Sequence, residues 1–198
     1  MRVAILDYQA GNLTSLQAAL RAVGATPTVT SDPAELAQAD RIVIPGVGHF
    51  SATSTLNKNG LSAAMRSAVE RGIPVLGICL GMQWLFEGSE EAPGMRGLSL
   101  FPGCSRRFPL GVKTPHVGWN EVVRKASTSR LLHDLPETIF AYFTHSYRMP
   151  TSDATVAIAD YAGEFTAVVE RENIFGVQFH PEKSGATGLK LLENFCTI

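Results

Sequence analysis

The chain has 198 residues, 45% of them hydrophobic, and a formal net charge of −1 at neutral pH, so it suits one domain with a substantial core. Lys and Arg are not clustered, which excludes the basic surface typical of nucleic-acid binding or of docking on an anionic membrane. The three cysteines are widely spaced without a CxxC pair, and no apolar run approaches the roughly 20 residues of a membrane span. We therefore expect a soluble, unprocessed protein of a reducing cytoplasm, with no disulfide framework and no zinc site.

The first half of the chain alternates short apolar runs with helical patterns. The run at 2–8 is nearly continuous, as in a strand buried on both faces, and leucines at helical spacing then lead from Asn12, the expected N-cap, to Gly24. The predicted strands of this half span 2–8, 25–30, 40–48 and 73–79, and the predicted helices span 11–24, 61–72 and 80–89, with a short helix after Asp32. This order predicts an α/β fold, an open, mostly parallel, doubly wound sheet with helices on both faces.

The second half changes to β-branched and aromatic runs separated by turns. Strands are predicted within 114–124, 138–149, 154–161, 165–171 and 174–180, followed by an amphipathic helix at 184–195. The last two strands form a predicted hairpin around Glu172 and Asn173. We expect these strands to add a β-rich layer to the α/β core within a single domain, residues 1–198.

Cys79 lies where the predicted strand 73–79 meets the helix that follows it. The flanking Gly77 and Gly81 match the G-x-C-x-G spacing of a nucleophile elbow, in which a sharp turn leaves no room for side chains. The helix N-terminus favours a thiolate, and the amide of Leu80 would point at a nearby oxyanion. A buried core cysteine is an equally plausible interpretation of this spacing alone.

A thiol nucleophile needs a base, and His180 is the best candidate among the five histidines. Glu182 lies two residues further on, at the end of an apolar strand, so the carboxylate could orient the imidazole. His133 also has a carboxylate neighbour, Asp134, but in a pattern typical of a solvated helix end. An exposed turn is the plainer interpretation of His-x-Glu by itself.

The segment 45–48, Pro-Gly-Val-Gly, follows the third predicted strand. Its glycines would let the amides of Val47 and Gly48 approach a ligand and hold an oxyanion, although Pro and Gly are equally ordinary in a βα turn. With Cys79 as nucleophile, His180 as proton shuttle and Glu182 as its orienting group, the three elements describe a thiol acyl-transfer site.

In these motifs, in their order and at their separations, the chain resembles the class I (triad-type) glutamine amidotransferases over essentially its whole length. Three further segments, 7–16, 115–120 and 142–148, resemble the glutaminase subunits of imidazole glycerol phosphate synthases within that class. Gln9 and His49 depart from the usual pattern of these subunits.

The resemblance implies that glutamine is hydrolysed to glutamate and ammonia through a thioester on Cys79, with no cofactor and no metal. It further implies a heterodimer with a (β/α)8-barrel cyclase that uses the ammonia to make imidazole glycerol phosphate and aminoimidazole carboxamide ribonucleotide. The residues implied to contact glutamine are Gly48, Gln83, Ser146 and Tyr147, and those implied to line the partner interface are Pro115, His116, Val117, Gly118, Trp119 and Asn120. For Trp119, a strand aromatic that fills the core is the alternative.

Three other functions stay open at this point. Subunits that serve anthranilate, aminodeoxychorismate or pyridoxal phosphate synthesis would share the elbow and triad, but segments 115–120 and 142–148 argue against them. A γ-glutamyl hydrolase or cysteine peptidase on a similar fold would act without a partner. A non-catalytic binding module would be expected to lack the nucleophile or the base, and this sequence has both.

Overall fold

The fold is centred on a large mixed β-sheet, seen here in a computed structural model that describes residues 1–8, 13–58 and 60–198. The strands are β1 (Arg2–Leu6), β2 (Thr26–Thr30), β3 (Arg41–Ile44), β4 (Val75–Ile78), β5 (Gly88–Ser89), β6 (Cys104–Arg107), β7 (His116–Arg124), β8 (Thr138–His145), β9 (Tyr147–Arg148), β10 (Thr155–Asp160), β11 (Glu164–Arg171) and β12 (Ile174–Val177). The helices are α1 (Leu13–Ala22), α2 (Pro33–Leu36), α3 (Ser54–Lys58), α4 (Leu61–Glu70), α5 (Leu80–Leu85) and α6 (Gly185–Thr197). Two short 3₁₀ turns, Phe50–Thr53 and Pro181–Lys183, complete the described elements.

Within the described residues, nine strands form one sheet in the order β2-β1-β3-β4-β12-β11-β10-β7-β8. The pairs from β2 to β12 are parallel, and those from β12 to β8 are antiparallel. The predicted α/β class is therefore confirmed. The β-rich half extends the same sheet, and β5, β6 and β9 form a small second one.

The core lies on both faces of the parallel strands. In β1, Val3 and Ile5 pack on one side with residues of α1 and α6, while Ala4 and Leu6 pack on the other with residues of α2, α4 and α5. Alternate residues of one strand thus enter two different apolar clusters, which is why the run at 2–6 is almost continuously apolar.

Several local predictions agree with the structure at the level of single residues. Asp32 caps α2, with its carboxylate accepting a hydrogen bond from the amide of Ala34 at 2.8 Å. Gly24 follows α1 with a φ of 81°, and Glu172 occupies a left-handed position in the two-residue turn between β11 and β12. The N-cap predicted at Asn12 and the departure at Gln9 lie outside the described residues.

The predicted helix 80–89 is too long, because α5 ends at Leu85. The loop at 98–100 satisfies the carbonyls at its end: the amides of Leu98, Ser99 and Leu100 bind the carbonyl oxygens of Trp84, Phe86 and Leu85. Residues 88–89 then pair with β6. The predicted strand 138–149 is likewise divided at Ser146 into β8 and β9.

Candidate active site

Three neighbouring strands bring the predicted chemical groups to one edge of the sheet. β4 lies between β3 and β12, parallel to both, with Gly77 opposite Ile44 on one side and Gly176 on the other. Because parallel strands end at the same edge, Cys79 after β4, His180 after β12 and the segment 45–48 after β3 converge there. The sheet order, which the sequence does not reveal directly, thus brings together residues that are far apart in the chain.

Cys79 occupies the turn between β4 and α5 with an unusual backbone conformation. Its φ of 51° and ψ of −107° place a non-glycine residue at positive φ, and its amide is fixed by a 2.7 Å hydrogen bond to the carbonyl of Val177. Such strain persists where the surrounding structure enforces it, most often at functional sites. The side chain is buried except for 6% of its surface.

The glycines of this elbow are required by close packing. A Cβ atom on Gly77 would lie 2.7 Å from the carbonyl oxygen of Gly81, and one on Gly81 would lie 2.1 Å from the carbonyl oxygen of Ile44. A Cβ on Gly46 would lie 2.5 Å from the amide nitrogen of Gly81. The tight turn predicted from the G-x-C-x-G spacing is therefore present, and the segment 45–48 packs directly against it.

His180 and Glu182 form a buried pair beside Cys79. Nδ1 of His180 lies 2.8 Å from Oε1 of Glu182, and the two side chains expose only 1% and 6% of their surface. Burial alone would lower the pKa of His180, but the interactions with the Cys79 thiol and the Glu182 carboxylate outweigh it and raise that pKa to about 10. Nε2 of His180 has no hydrogen bond of normal geometry to any described residue, which leaves it free for the thiol or the substrate.

Gln178 contacts the sulfur directly, a role that no motif in the sequence indicates. Its Nε2 atom lies 3.5 Å from Sγ of Cys79, and its Oε1 accepts a hydrogen bond of 3.2 Å from Nε2 of Gln83. Gln178 is fully buried, and an amide side chain inside the apolar run 174–179 is the sequence feature that could indicate such a role. It ties the nucleophile to a residue implied to contact glutamine.

The segment 45–48 is anchored at its first residue. The hydroxyl of Tyr8 donates a 2.5 Å hydrogen bond to the carbonyl oxygen of Pro45, and burial raises the pKa of this tyrosine above its usual range. At the other end, Gly48 has a φ of 109°, and Nδ1 of His49 accepts a hydrogen bond from the amide of Ser51. His49 therefore caps the 3₁₀ turn that follows.

A cavity of about 330 Å³ opens in front of Cys79. Seven of its lining residues were singled out from the sequence: Val47, Gly48, Cys79, Leu80, Gln83, Ser146 and Tyr147. The other four are Glu91, Thr144, His145 and Lys183. The predicted nucleophile, oxyanion and substrate residues thus share one cavity, large enough for a small polar molecule.

The family model for class-I glutamine amidotransferases matches residues 4–198. The chain belongs to this family. It is 46% identical over 196 residues to the imidazole glycerol phosphate synthase subunit HisH of Moorella thermoacetica, covering 98% of this chain and 93% of that one. It is 48% identical over 197 residues to the HisH subunit of Methanothermobacter thermautotrophicus, covering 99% and 98%.

The fold of this amidotransferase is also found in solved structures. The structure of PurLQS from Thermotoga maritima superposes with a TM-score of 0.79 and covers 99% of this chain and 97% of that chain. At 19% identity, that likeness concerns the fold alone.

The amidotransferase displays the segment 115–120 unevenly. Val117 and Trp119 expose 56% and 57% of their surface, so Trp119 does not fill the core. His116, by contrast, exposes only 4%, and Asn120 is half-buried. The strand alternation of β7 points the two sets to opposite faces, so only part of the predicted interface segment is available at the surface.

Other parts of the described chain show no comparable constellation. A more open depression of about 740 Å³ around Arg130, His133 and Glu170 contains none of the three cysteines, all of which are free thiols. In residues 1–8, 13–58 and 60–198, no three or more His, Cys, Asp or Glu side chains are grouped as metal ligands. Over the same residues, no helix has the length and apolarity needed to cross a membrane.

Proposed function

We propose that this chain is the glutaminase subunit of an imidazole glycerol phosphate synthase, with residues 1–198 acting as one domain. It hydrolyses L-glutamine and passes the ammonia to a cyclase that makes imidazole glycerol phosphate and aminoimidazole carboxamide ribonucleotide in histidine biosynthesis. The observation that carries the chemistry is the buried His180, held by Glu182 beside Cys79 at the cavity. The identity of 43–48% to HisH subunits supports the choice of pathway.

The proposed reaction has two halves. Nε2 of His180 takes the proton of the Cys79 thiol, and Sγ then attacks the side-chain amide carbon of glutamine. The imidazolium then protonates the departing nitrogen, the C–N bond breaks, and ammonia departs. A γ-glutamyl thioester remains on Cys79. Water, deprotonated by His180, attacks that thioester, and the C–S bond breaks. Glutamate is released, and the proton on His180 returns to the sulfur to restore the thiol.

The raised pKa of His180 suits the first half of this cycle. With a pKa raised to about 10, the imidazolium of His180 persists at neutral pH and can protonate the departing nitrogen. Glu182 stabilises that charged form and fixes the ring, so its role is to orient His180 rather than to accept the proton itself.

The remaining lining residues receive proposed roles from their chemistry. The amides of Val47, Gly48 and Leu80 hold the oxyanion that forms on the amide carbonyl. Gly48, Gln83, Ser146 and Tyr147 contact the substrate. The carboxylate of Glu91, which accepts a hydrogen bond from the amide of Phe50 at 2.7 Å, is a suitable counter-charge for the α-ammonium group of glutamine.

The proposed partner is a (β/α)8-barrel cyclase in a cytoplasmic heterodimer, with L-glutamine as the substrate and no cofactor, nucleic acid or membrane. The segment 115–120 lies at the interface, where Val117 and Trp119 provide exposed apolar contacts and Pro115 and Gly118 provide backbone. His116 and Asn120 lie on the opposite face of β7 and support this surface from the protein side.

A glutaminase assay with and without the cyclase tests the proposal. We expect slow turnover by the isolated chain, strong acceleration when the cyclase and its nucleotide ligand are added, and a loss of roughly a thousandfold or more in Cys79→Ala. Cys104→Ala, which removes an exposed thiol, is the matched control and should retain activity. Full activity without any partner would instead identify a stand-alone hydrolase, and activity in Cys79→Ala would exclude the mechanism.

A further inference from the structure

Two buried histidines that the proposed mechanism does not use lie directly opposite each other in the sheet. His116 of β7 pairs with His145 of β8, and they expose 4% and 6% of their surface. Nδ1 of His116 lies 3.1 Å from Nε2 of His145. Two ring nitrogens this close form a hydrogen bond only if one carries a hydrogen and the other does not, so the positions of the protons matter.

The backbone groups at the two ends of this contact fix every proton in it. Nδ1 of His145 lies 2.9 Å from the carbonyl oxygen of Tyr147, which can only accept, so this nitrogen carries the hydrogen. At the far end, Oδ1 of Asn120 accepts from the amide of Glu121, so Nδ2 of Asn120 is the group that faces Nε2 of His116, at 3.4 Å.

Each ring therefore has its hydrogen on Nδ1 and accepts through Nε2. Asn120 donates to His116, His116 donates to His145, and His145 donates to the carbonyl of Tyr147. Asn120 is itself held by a 2.8 Å hydrogen bond to the carbonyl of Asp160. We call the side chains of Asn120, His116 and His145 the histidine relay.

The surroundings keep both rings neutral. His116 is stacked between Tyr161, at a ring distance of 4.1 Å, and Phe143, at 5.0 Å, and Phe108 packs against both histidines. Burial lowers the pKa of His116 to about 4 and that of His145 to about 3. The relay is thus intact at neutral pH, where neither ring carries a second proton.

The end of the relay lies in the glutamine cavity. The Tyr147 carbonyl that accepts from His145 also accepts a 3.0 Å hydrogen bond from Nε2 of Gln83, the same atom that contacts Gln178. His145 and Tyr147 both line the cavity. The orientation of this one carbonyl is therefore shared between the relay and the side chain proposed to bind glutamine.

We propose that His145 and His116 are positioning residues of the glutaminase, which hold the Tyr147 carbonyl and Gln83 in the orientation that binds glutamine. The relay also connects the cavity to Asn120, which adjoins the exposed Trp119 in β7. The orientation of the substrate-binding groups therefore depends on how well β7 is ordered. The proposal rests on the proposed function, because it takes Gln83 and Tyr147 as substrate contacts.

The kinetic test compares two substitutions of one histidine in the complex with the cyclase and its nucleotide. His145→Leu removes the donor to Tyr147, whereas His145→Asn keeps a side-chain N–H near the position of Nδ1. We expect His145→Leu to raise the KM for glutamine by roughly fivefold to tenfold with kcat within about twofold, and His145→Asn to stay near the wild type. His133→Leu, at an exposed histidine outside the cavity, is the control and should change nothing.

A second variant tests whether the two histidines act as one unit. His116→Leu should raise the KM through His145, so the double variant should be no worse than His145→Leu alone. Equal KM values for the wild type and both leucine variants, with only a lower melting temperature, would assign the relay a merely structural role and overturn the proposal. An equal rise in His145→Leu and His145→Asn would overturn it as well.

Nitrogen-15 NMR of the wild-type protein tests the proton arrangement independently of activity. Long-range ¹⁵N–¹H correlations should show His116 and His145 both protonated at Nδ1 and bare at Nε2. A hydrogen on Nε2 of His145 contradicts the relay, even if the variants do not fold. Absence of Cys79-dependent hydrolysis in the wild-type complex would instead overturn the proposed function itself, and the positioning role with it.

Discussion

At the scale of single residues, the chemistry depends on the proton shared around His180. The ring is almost inaccessible to solvent, its Nδ1 is bonded to Glu182, and its Nε2 is the nitrogen left for the interaction with Cys79. A buried imidazolium is costly unless an anion compensates it, and Glu182 supplies that anion on one side. The carboxylate therefore governs both the ring orientation and its affinity for the proton.

Replacing this carboxylate tests its role. Glu182→Gln keeps the size of the side chain and removes its charge, so we expect kcat/KM for glutamine to fall by roughly a hundredfold in the assembled enzyme. Glu193→Gln, at an exposed carboxylate paired with Lys190, is the matched control and should leave the rate unchanged.

The same variant should change the titration of His180. In the wild type the raised pKa means that the ring keeps its second proton as the pH rises above 6.5 and loses it only near pH 10. Without the carboxylate the proton is lost at lower pH, and NMR of the ring nitrogens would record this shift. An identical titration in both proteins would contradict the assignment of Glu182.

Functional residues that form a recognisable local motif could be predicted from the sequence. Residues whose role depends on a partner from another strand could not. Cys79, His180 and Glu182 stand in recognisable local patterns. Gln178 and Tyr8 lie inside apolar runs, and their partners become visible only when strands are adjacent. His116 and His145 have no carboxylate beside them in the sequence, and their hydrogen bond to each other forms across the sheet.

At the scale of elements, the turn between β4 and α5 is set by contact with the end of β3. The Cβ of an alanine at position 81 would lie 2.1 Å from the carbonyl oxygen of Ile44 and 2.8 Å from its carbon. Backbone atoms cannot rotate away, so the strand and the helix would have to separate. Cys79, two residues earlier, would move with the helix.

Gly81→Ala should therefore reduce both stability and activity. We expect a loss of about 1–3 kcal/mol in the free energy of unfolding, measured with urea, and at least a tenfold loss of glutaminase activity. Gly24→Ala is the control, because position 24 has positive φ but open space around it, so alanine there causes backbone strain without a steric clash. That control should lose stability alone, and unchanged activity in Gly81→Ala would mean that the elbow tolerates displacement.

Periodicity predicted the elements that have a long apolar face and missed those defined by contacts made elsewhere. The helices α1, α4 and α6 and the strands of the large sheet each bury such a face. The two-residue strand β5 has no sequence pattern of its own, and α5 ends where the loop at 98–100 binds its carbonyls. Such boundaries follow from tertiary structure rather than from local sequence.

At the scale of the whole molecule, β7 and β8 present an apolar face at one end of the large sheet. Val117, Trp119 and Phe140 are all more than half exposed there, and Trp119 packs edge-on against Tyr142. Exposed aromatic groups that share one face are typical of a protein interface. The proposed cyclase would cover this face.

Trp119→Ala should accordingly weaken the complex without unfolding the chain. We expect the Kd for the cyclase, measured by calorimetry, to rise at least tenfold while the melting temperature stays within about 2 °C, because the ring is largely exposed. Trp119→Phe retains an aromatic contact with Tyr142 and should recover most of the affinity. Undiminished affinity in Trp119→Ala would place the interface elsewhere.

The central position of β12 has a consequence for the order in which the chain acquires activity. This strand comes near the end of the sequence but pairs between β4 and β11 in the middle of the sheet. A nascent chain on the ribosome acquires that strand and the His180–Glu182 pair only about a hundred residues after Cys79. A chain of intermediate length would therefore carry the proposed nucleophile without its proposed base and should not hydrolyse glutamine during synthesis.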